Sequence, residues 1–98
     1  MAKVKNIINN NGNPAVNQFV ITAGDKVFFQ SYDSMVAMWD KKAGKLYVTR
    51  YWDYSATTRK HFYIFLNDYT AVRGTRETVL QGLKDGTIGI VSEECLSY

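Results

Sequence analysis

Lys45-Leu46-Tyr47-Val48-Thr49-Arg50-Tyr51-Trp52, running on through Asp53-Tyr54-Ser55-Ala56-Thr57-Thr58-Arg59-Lys60-His61-Phe62-Tyr63-Ile64-Phe65-Leu66, is the stretch whose reading decides the fold. Its first part is dense in β-branched and aromatic residues, the composition of a strand. Alternation places Leu46, Val48, Arg50 and Trp52 on one face and Lys45, Tyr47, Thr49 and Tyr51 on the other. The second part changes period. Phe62, Phe65, Leu66 and Tyr69 recur at i, i+3, i+4 and i+7, the apolar stripe of a helix. Ser55, Thr57 and Thr58 offer N-cap hydroxyls before it. Arg59, Lys60, Tyr63 and Asn67 share a flanking polar face.

Outward from this stretch the same signals repeat. Phe19-Val20-Ile21-Thr22 and Val27-Phe28-Phe29-Gln30-Ser31-Tyr32 read as a hairpin turning through Ala23-Gly24-Asp25-Lys26. Ser34 to Asp40 is open to two readings, a helix capped by Ser34 or a strand from Met35 to Trp39. The strand is preferred, turning through Asp40-Lys41-Lys42-Ala43-Gly44. Residues 9–14, Asn9-Asn10-Asn11-Gly12-Asn13-Pro14, are loop chemistry. Downstream, Thr75 caps a helix to Asp85 with Val79, Leu80 and Leu83 as its stripe and Gly86 at the left-handed end. Gly82 inside that helix costs about 1 kcal/mol relative to Ala, so the helix must lean on packing. Thr87 to Val91 closes as a short strand. The expected architecture is α+β: one domain over residues 1–98, an antiparallel sheet of about four to five strands with two helices on one face.

Composition sets bounds on function. Of 98 residues, 46% are hydrophobic and 21% charged, as in an ordinary globular domain. The outlier is 14% aromatic content, from seven Tyr, five Phe and two Trp, which is more than one small core is expected to hide. The single Cys95 excludes an internal disulfide and a Cys-cluster zinc site, and a lone thiol fits a reducing compartment. Met1 to Ile8 holds no apolar run of signal-peptide length, and no apolar stretch is long enough to span a bilayer. A cytoplasmic location is expected. A net charge of +3 disfavours mimicry of nucleic acid and permits phosphate contact without demanding it.

Catalytic chemistry finds little to work with. His61 is the only His, and nothing in the sequence places it beside Cys95. His61 and Asp68 lie about 10 Å apart along a helix, too far to share a metal ion. No dinucleotide or Walker loop occurs. Asp33, Asp40 and Asp53 each sit among turn residues, where Asp serves local hydrogen bonding. No enzyme activity, cofactor or metal is therefore expected.

Binding chemistry is richer. Lys41, Lys42, Lys45, Arg50, Arg59 and Lys60 oppose only Asp53 in residues 41–60, interleaved with Tyr47, Tyr51, Trp52 and Tyr54. A basic groove with aromatic platforms suits a single-stranded nucleic acid. Exposed Tyr and Arg equally suit a protein interface. The residues expected to carry binding are Lys41, Lys42, Lys45, Arg50, Tyr54, Arg59, Lys60 and Tyr63. A homodimer through an exposed strand would use the same aromatic surplus. The structural alternative is that Trp52 plugs the core and Tyr54 pins the loop by its hydroxyl.

Three segments carry a resemblance: Asn13 to Ile21, Phe28 to Ala37 with its Phe-Gln-Ser-Tyr word, and Tyr51-Trp52-Asp53-Tyr54-Ser55-Ala56-Thr57-Thr58-Arg59-Lys60-His61. Together they resemble a family of small uncharacterised proteins carried by bacteriophages and mobile elements. The resemblance implies an accessory protein made in a bacterial host's cytoplasm. It would act by binding a host defence protein or its nucleic-acid complex, as an anti-CRISPR does. No functional residue carries over from it.

Overall fold

The computed structural model describes residues 2–97. Six strands form one sheet in sequence order: β1 (Lys3–Ile8), β2 (Pro14–Ala23), β3 (Lys26–Ser31), β4 (Ser34–Asp40), β5 (Lys45–Val48) and β6 (Ile88–Ile90). The first five are an antiparallel meander, and β6 joins β5 in parallel after two helices, α1 (Ala56–Tyr69) and α2 (Arg76–Asp85). The domain is α+β, with one strand more than the sequence suggested.

The added strand is β1, whose Lys3 and Lys5 interrupt any apolar run. It is held because Val4 registers with Ile21 and Ile7 is fully buried. The ambiguous segment 34–40 is a strand. The segment from Lys45 does not continue to Trp52: β5 stops at Val48, and Arg50–Asp53 form a 3-10 turn. Thr49 is the cause. Its hydroxyl accepts from the Tyr51 N–H at 3.3 Å and donates to the Met35 carbonyl at 2.7 Å, so it ends the strand and starts the turn. The expected alternation of Arg50 and Trp52 against Thr49 and Tyr51 is thereby lost.

Both helices cover one face of the sheet. Phe62, Phe65 and Leu66 of α1 and Val79 of α2 meet Val20, Val27, Phe29, Leu46 and Val48 in one buried cluster. Phe65 stacks on Phe29 with ring centroids 5.6 Å apart. Leu80, expected in the α2 stripe, is 45% exposed instead. Gly82 takes its place against the sheet: a Cβ there would stand 2.4 Å from Ile88 Cδ1, so only glycine lets α2 approach β6 this closely. Gly86 ends the helix at φ 84.

The opposite face is covered at its centre by the segment after β6. Leu96 is buried against Ile21, Phe28, Met35 and Met38, and the Glu93 carboxylate accepts from the Met35 N–H at 2.7 Å.

Candidate functional site

The corner between β5 and α1 is built by a run of local caps. After the 3-10 turn, Ser55 adopts extended backbone and its hydroxyl accepts from the Thr58 N–H at 3.1 Å, which starts α1. Thr57 and Thr58 lie inside the helix rather than capping it. Trp52 is 5% exposed and packs near Phe62, so it fills the core. Tyr54 is 78% exposed and its hydroxyl makes no hydrogen bond among the described residues, so it does not pin the loop. Its ring stands edge-on to Tyr51 at 6.2 Å.

Asp53 is the charged centre of the corner. It accepts two hydrogen bonds from Arg76 of α2, at 2.8 and 3.1 Å, and one from Arg59 of α1 at 3.0 Å. The Arg76 hydrogen bonds are the main reason its carboxyl titrates below the ordinary range. Partial desolvation pulls the other way, and Arg59 adds to the lowering. The Arg76 guanidinium also lies over the Trp52 ring, 5.5 Å from its centroid. This corner is therefore a clamp joining both helices to the turn after β5, with one carboxylate shared by two arginines.

The residues expected to carry binding fall in three places. Lys41 and Lys42 are exposed on the β4–β5 turn, and Lys45 is half-buried with its Nζ 5.5 Å over Tyr47. These lie at the far end of β4 from the corner, about 20 Å away at strand rise. Arg50 and Tyr54 stand at the corner, with the Arg50 guanidinium 5.1 Å over the Tyr51 ring. Arg59, Lys60 and Tyr63 line a shallow groove on α1 with Asn10 and Asn67. Arg59 is tied to Asp53, whereas Lys60 makes no ion pair among the described residues. The single basic-aromatic surface expected from the sequence is thus divided.

What the corner does gather is a set of tyrosines and hydroxyls. Ser31, Tyr32, Ser34, Tyr51, Tyr54, Ser55 and Thr58 line a pocket of about 180 Å³. Tyr32 is 53% exposed and sits at φ 54, a left-handed conformation that an aromatic residue rarely adopts. Its N–H donates to the Asn17 carbonyl at 2.7 Å, and Gln30 Nε2 donates to the Tyr32 carbonyl at 2.7 Å. Tyr32 and Tyr51 were not among the expected binding residues. A readable signal was present for Tyr32: Tyr32-Asp33 is the whole turn between two strands, an unusual place for a bulky ring.

A model of a family of unknown function, DUF8033, matches residues 2–81. The chain belongs to that family. Comparisons with curated proteins and with solved structures find no match. In this DUF8033 chain the matched span contains the whole corner, the pocket and both arginines of the Asp53 clamp. It stops within α2, so the end of that helix, β6 and the covering segment with Leu96 lie beyond it.

A wider groove of the DUF8033 chain lies elsewhere. It measures about 800 Å³ and runs between α2 and the β4–β5 hairpin, with Trp39, Arg73, Glu77, Gln81 and Asp85 among its lining residues. Of its one cation and two carboxylates, Asp85 is engaged locally, accepting from the Thr87 N–H at 3.0 Å and the Thr87 hydroxyl at 2.7 Å. His61 and Cys95 lie on opposite faces of the sheet. The His61 Nδ1 is 2.8 Å from the Thr57 carbonyl within its own helix, and Cys95 is exposed. Among the described residues no group of three or more His, Cys, Asp or Glu could hold a metal ion, and no helix is long and apolar enough to cross a membrane.

Proposed function

We propose that this protein acts by binding a partner protein through the β5–α1 corner, as a phage-type accessory protein in a bacterial cytoplasm whose target is a host defence component. The observation that carries the binding reading is the convergence of Tyr32 and Tyr54, 53% and 78% exposed, on one pocket with Arg50 beside it. Exposed aromatic rings with an adjacent arginine are the side chains that anchor protein interfaces. The division of the cations supports this over the alternative, a single-stranded nucleic-acid-binding domain. A strand of nucleic acid needs a continuous cationic track, whereas here the hairpin lysines stand apart and Asp53 occupies two arginines. The accessory and anti-defence parts of the reading rest on the sequence resemblance. A homodimer is the competing use of the exposed surface, but the open edge strand β1 carries Lys3 and Lys5, a usual guard against strand pairing.

Affinity capture from a bacterial host lysate tests the proposal. A partner held by the wild type should be lost with Tyr32→Ala or Tyr54→Ala and kept with Lys41→Glu/Lys42→Glu. Retention by both tyrosine variants would refute the corner as the interface. Binding of a random oligonucleotide at about 50 mM salt that falls steeply as salt is added would favour the nucleic-acid reading.

A further inference from the structure

The floor of the tyrosine pocket has a proton count that does not close. Ser31 and Thr58 are 3% and 4% exposed and both line it. Ser55 Oγ donates to Thr58 Oγ1 at 3.1 Å, and Thr58 Oγ1 lies 3.0 Å from Ser31 Oγ. Each hydroxyl carries one proton. The three hydroxyls make two bonds among themselves, so one proton is left over. Whichever way the second bond runs, that proton sits on Ser31 or Thr58, for which no further acceptor is found among the described residues. The walls are the rings of Tyr32, Tyr51 and Tyr54, and Arg50 stands over the outer side of this group through Tyr51. A guest that displaces solvent from the pocket without offering an acceptor leaves this donor unpaired, which is costly, and a guest that offers one avoids the cost. A volume of about 180 Å³ is below the usual range for a whole small-molecule site.

We infer that this pocket receives one side chain of the partner protein that ends in a carbonyl or carboxylate oxygen, its stem between the tyrosine rings and its oxygen on the spare hydroxyl proton. The inference rests on the corner being the interface and adds the chemistry of the group that enters it. The arrangement selects for an acceptor at the tip: an aliphatic side chain of equal length would fill the walls and leave the buried donor unpaired. A phosphate is disfavoured, because one hydroxyl proton and one arginine already engaged with Tyr51 are a poor match for its charge.

The test uses two probes that differ only at the side-chain tip, N-acetyl-glutamine methylamide and N-acetyl-norleucine methylamide, titrated into the isotopically labelled full chain and followed by amide chemical shifts. The glutamine probe should give saturable shifts at residues 31–34 and 54–58, with a Kd of about 1–10 mM, as expected of a single side chain. The norleucine probe should bind at least about fivefold more weakly, the worth of one hydrogen bond. Equal affinity for both probes, or no saturable shift at these residues, would overturn the inference. Ser31→Ala/Ser55→Ala/Thr58→Val removes all three hydroxyls, and with them the spare donor, and should abolish the difference between probes. If that variant does not fold, Tyr54→Ala removes an exposed wall without touching the core, and unchanged binding of the glutamine probe would be equally fatal. Loss of the captured partner with Tyr54→Ala while the two probes bind alike would keep the interface and discard the acceptor-tipped guest. Discrimination between probes with no effect of the tyrosine variants on capture would do the reverse.

Discussion

Replacing Gly82 with alanine sets two opposed effects against each other. An alanine in the middle of α2 gains about 1 kcal/mol of intrinsic helix stability over glycine. Its Cβ, however, would stand 2.4 Å from Ile88 Cδ1, 2.5 Å from Cγ1 and 3.2 Å from Cβ. Overpacking of this kind costs about 1–3 kcal/mol. The end of the Ile88 side chain can turn away, but it is 5% exposed and has little room to do so. Gly82→Ala should therefore lose about 0–2 kcal/mol net. The decisive comparison is the same substitution beside Ile88→Ala, which removes Cγ1 and Cδ1. There the two closest contacts are gone and only the 3.2 Å approach to Cβ remains, so Gly82→Ala should gain up to about 1 kcal/mol, giving a coupling of about 1–3 kcal/mol between the two positions. Urea unfolding followed by circular dichroism reads this directly, since 1 kcal/mol moves the midpoint by about half a molar for a small domain. A gain of about 1 kcal/mol from Gly82→Ala in the wild-type background would show that α2 does not sit against β6 as described.

Phe65→Ala, at a ring with no exposure stacked on Phe29, should cost about 3–5 kcal/mol in the same assay, and a loss below about 1 kcal/mol would refute its place in the core. Leu96→Ala should cost about 2–5 kcal/mol although the residue lies outside the family match, because it covers Phe28, Met35 and Met38. Lys60→Glu should change stability by no more than about 0.5 kcal/mol, while Arg59→Glu sets a second carboxylate beside Asp53 and should cost up to about 1 kcal/mol, discounted for the exposure of the pair. Asp53 binds its proton more weakly folded than unfolded. Its contribution is fully present above the ordinary carboxylate range and lost as pH falls through the lower folded value. Asp53→Asn should therefore flatten the acid limb of stability below about pH 4, which a pH series of unfolding midpoints would check.

Much of the frame was legible because it rests on local signals. The caps at Thr75 and Gly86, the Phe62-Phe65-Leu66 stripe and the β2–β3 hairpin are each decided by residues within one turn of one another. What escaped depends on distant neighbours. β1 reads as polar until Ile21 is seen opposite Val4. The end of β5 depends on a bond from Thr49 to the carbonyl of Met35 on the adjoining strand. Gly82 looked like a local weakness, and only Ile88 explains it. At the corner, Trp52 to His61 stood out as a motif, yet two partners that complete it were invisible. Arg76 reaches Asp53 from the other helix, and Ser31 with Tyr32 comes from the β3–β4 turn. Counting cations over residues 41–60 therefore overstated the basic surface, since the hairpin lysines lie at the far end of β4 from the corner and Arg59 is held by Asp53.

The parallel placement of β6 has a kinetic consequence. Each of β2 to β5 pairs with its immediate predecessor, so the meander can register as it emerges during synthesis. β6 can dock only once α1 and α2 have been made and folded back, and bringing it to β5 closes the longest loop in the sheet. Until then the main-chain donors and acceptors along the outer side of β5 have no mate, and a nascent chain in that state offers a template to any passing extended peptide. Completion of the sheet is in this sense a seal applied last, and slow sealing rather than a weak final structure would set how much of the protein is lost to aggregation.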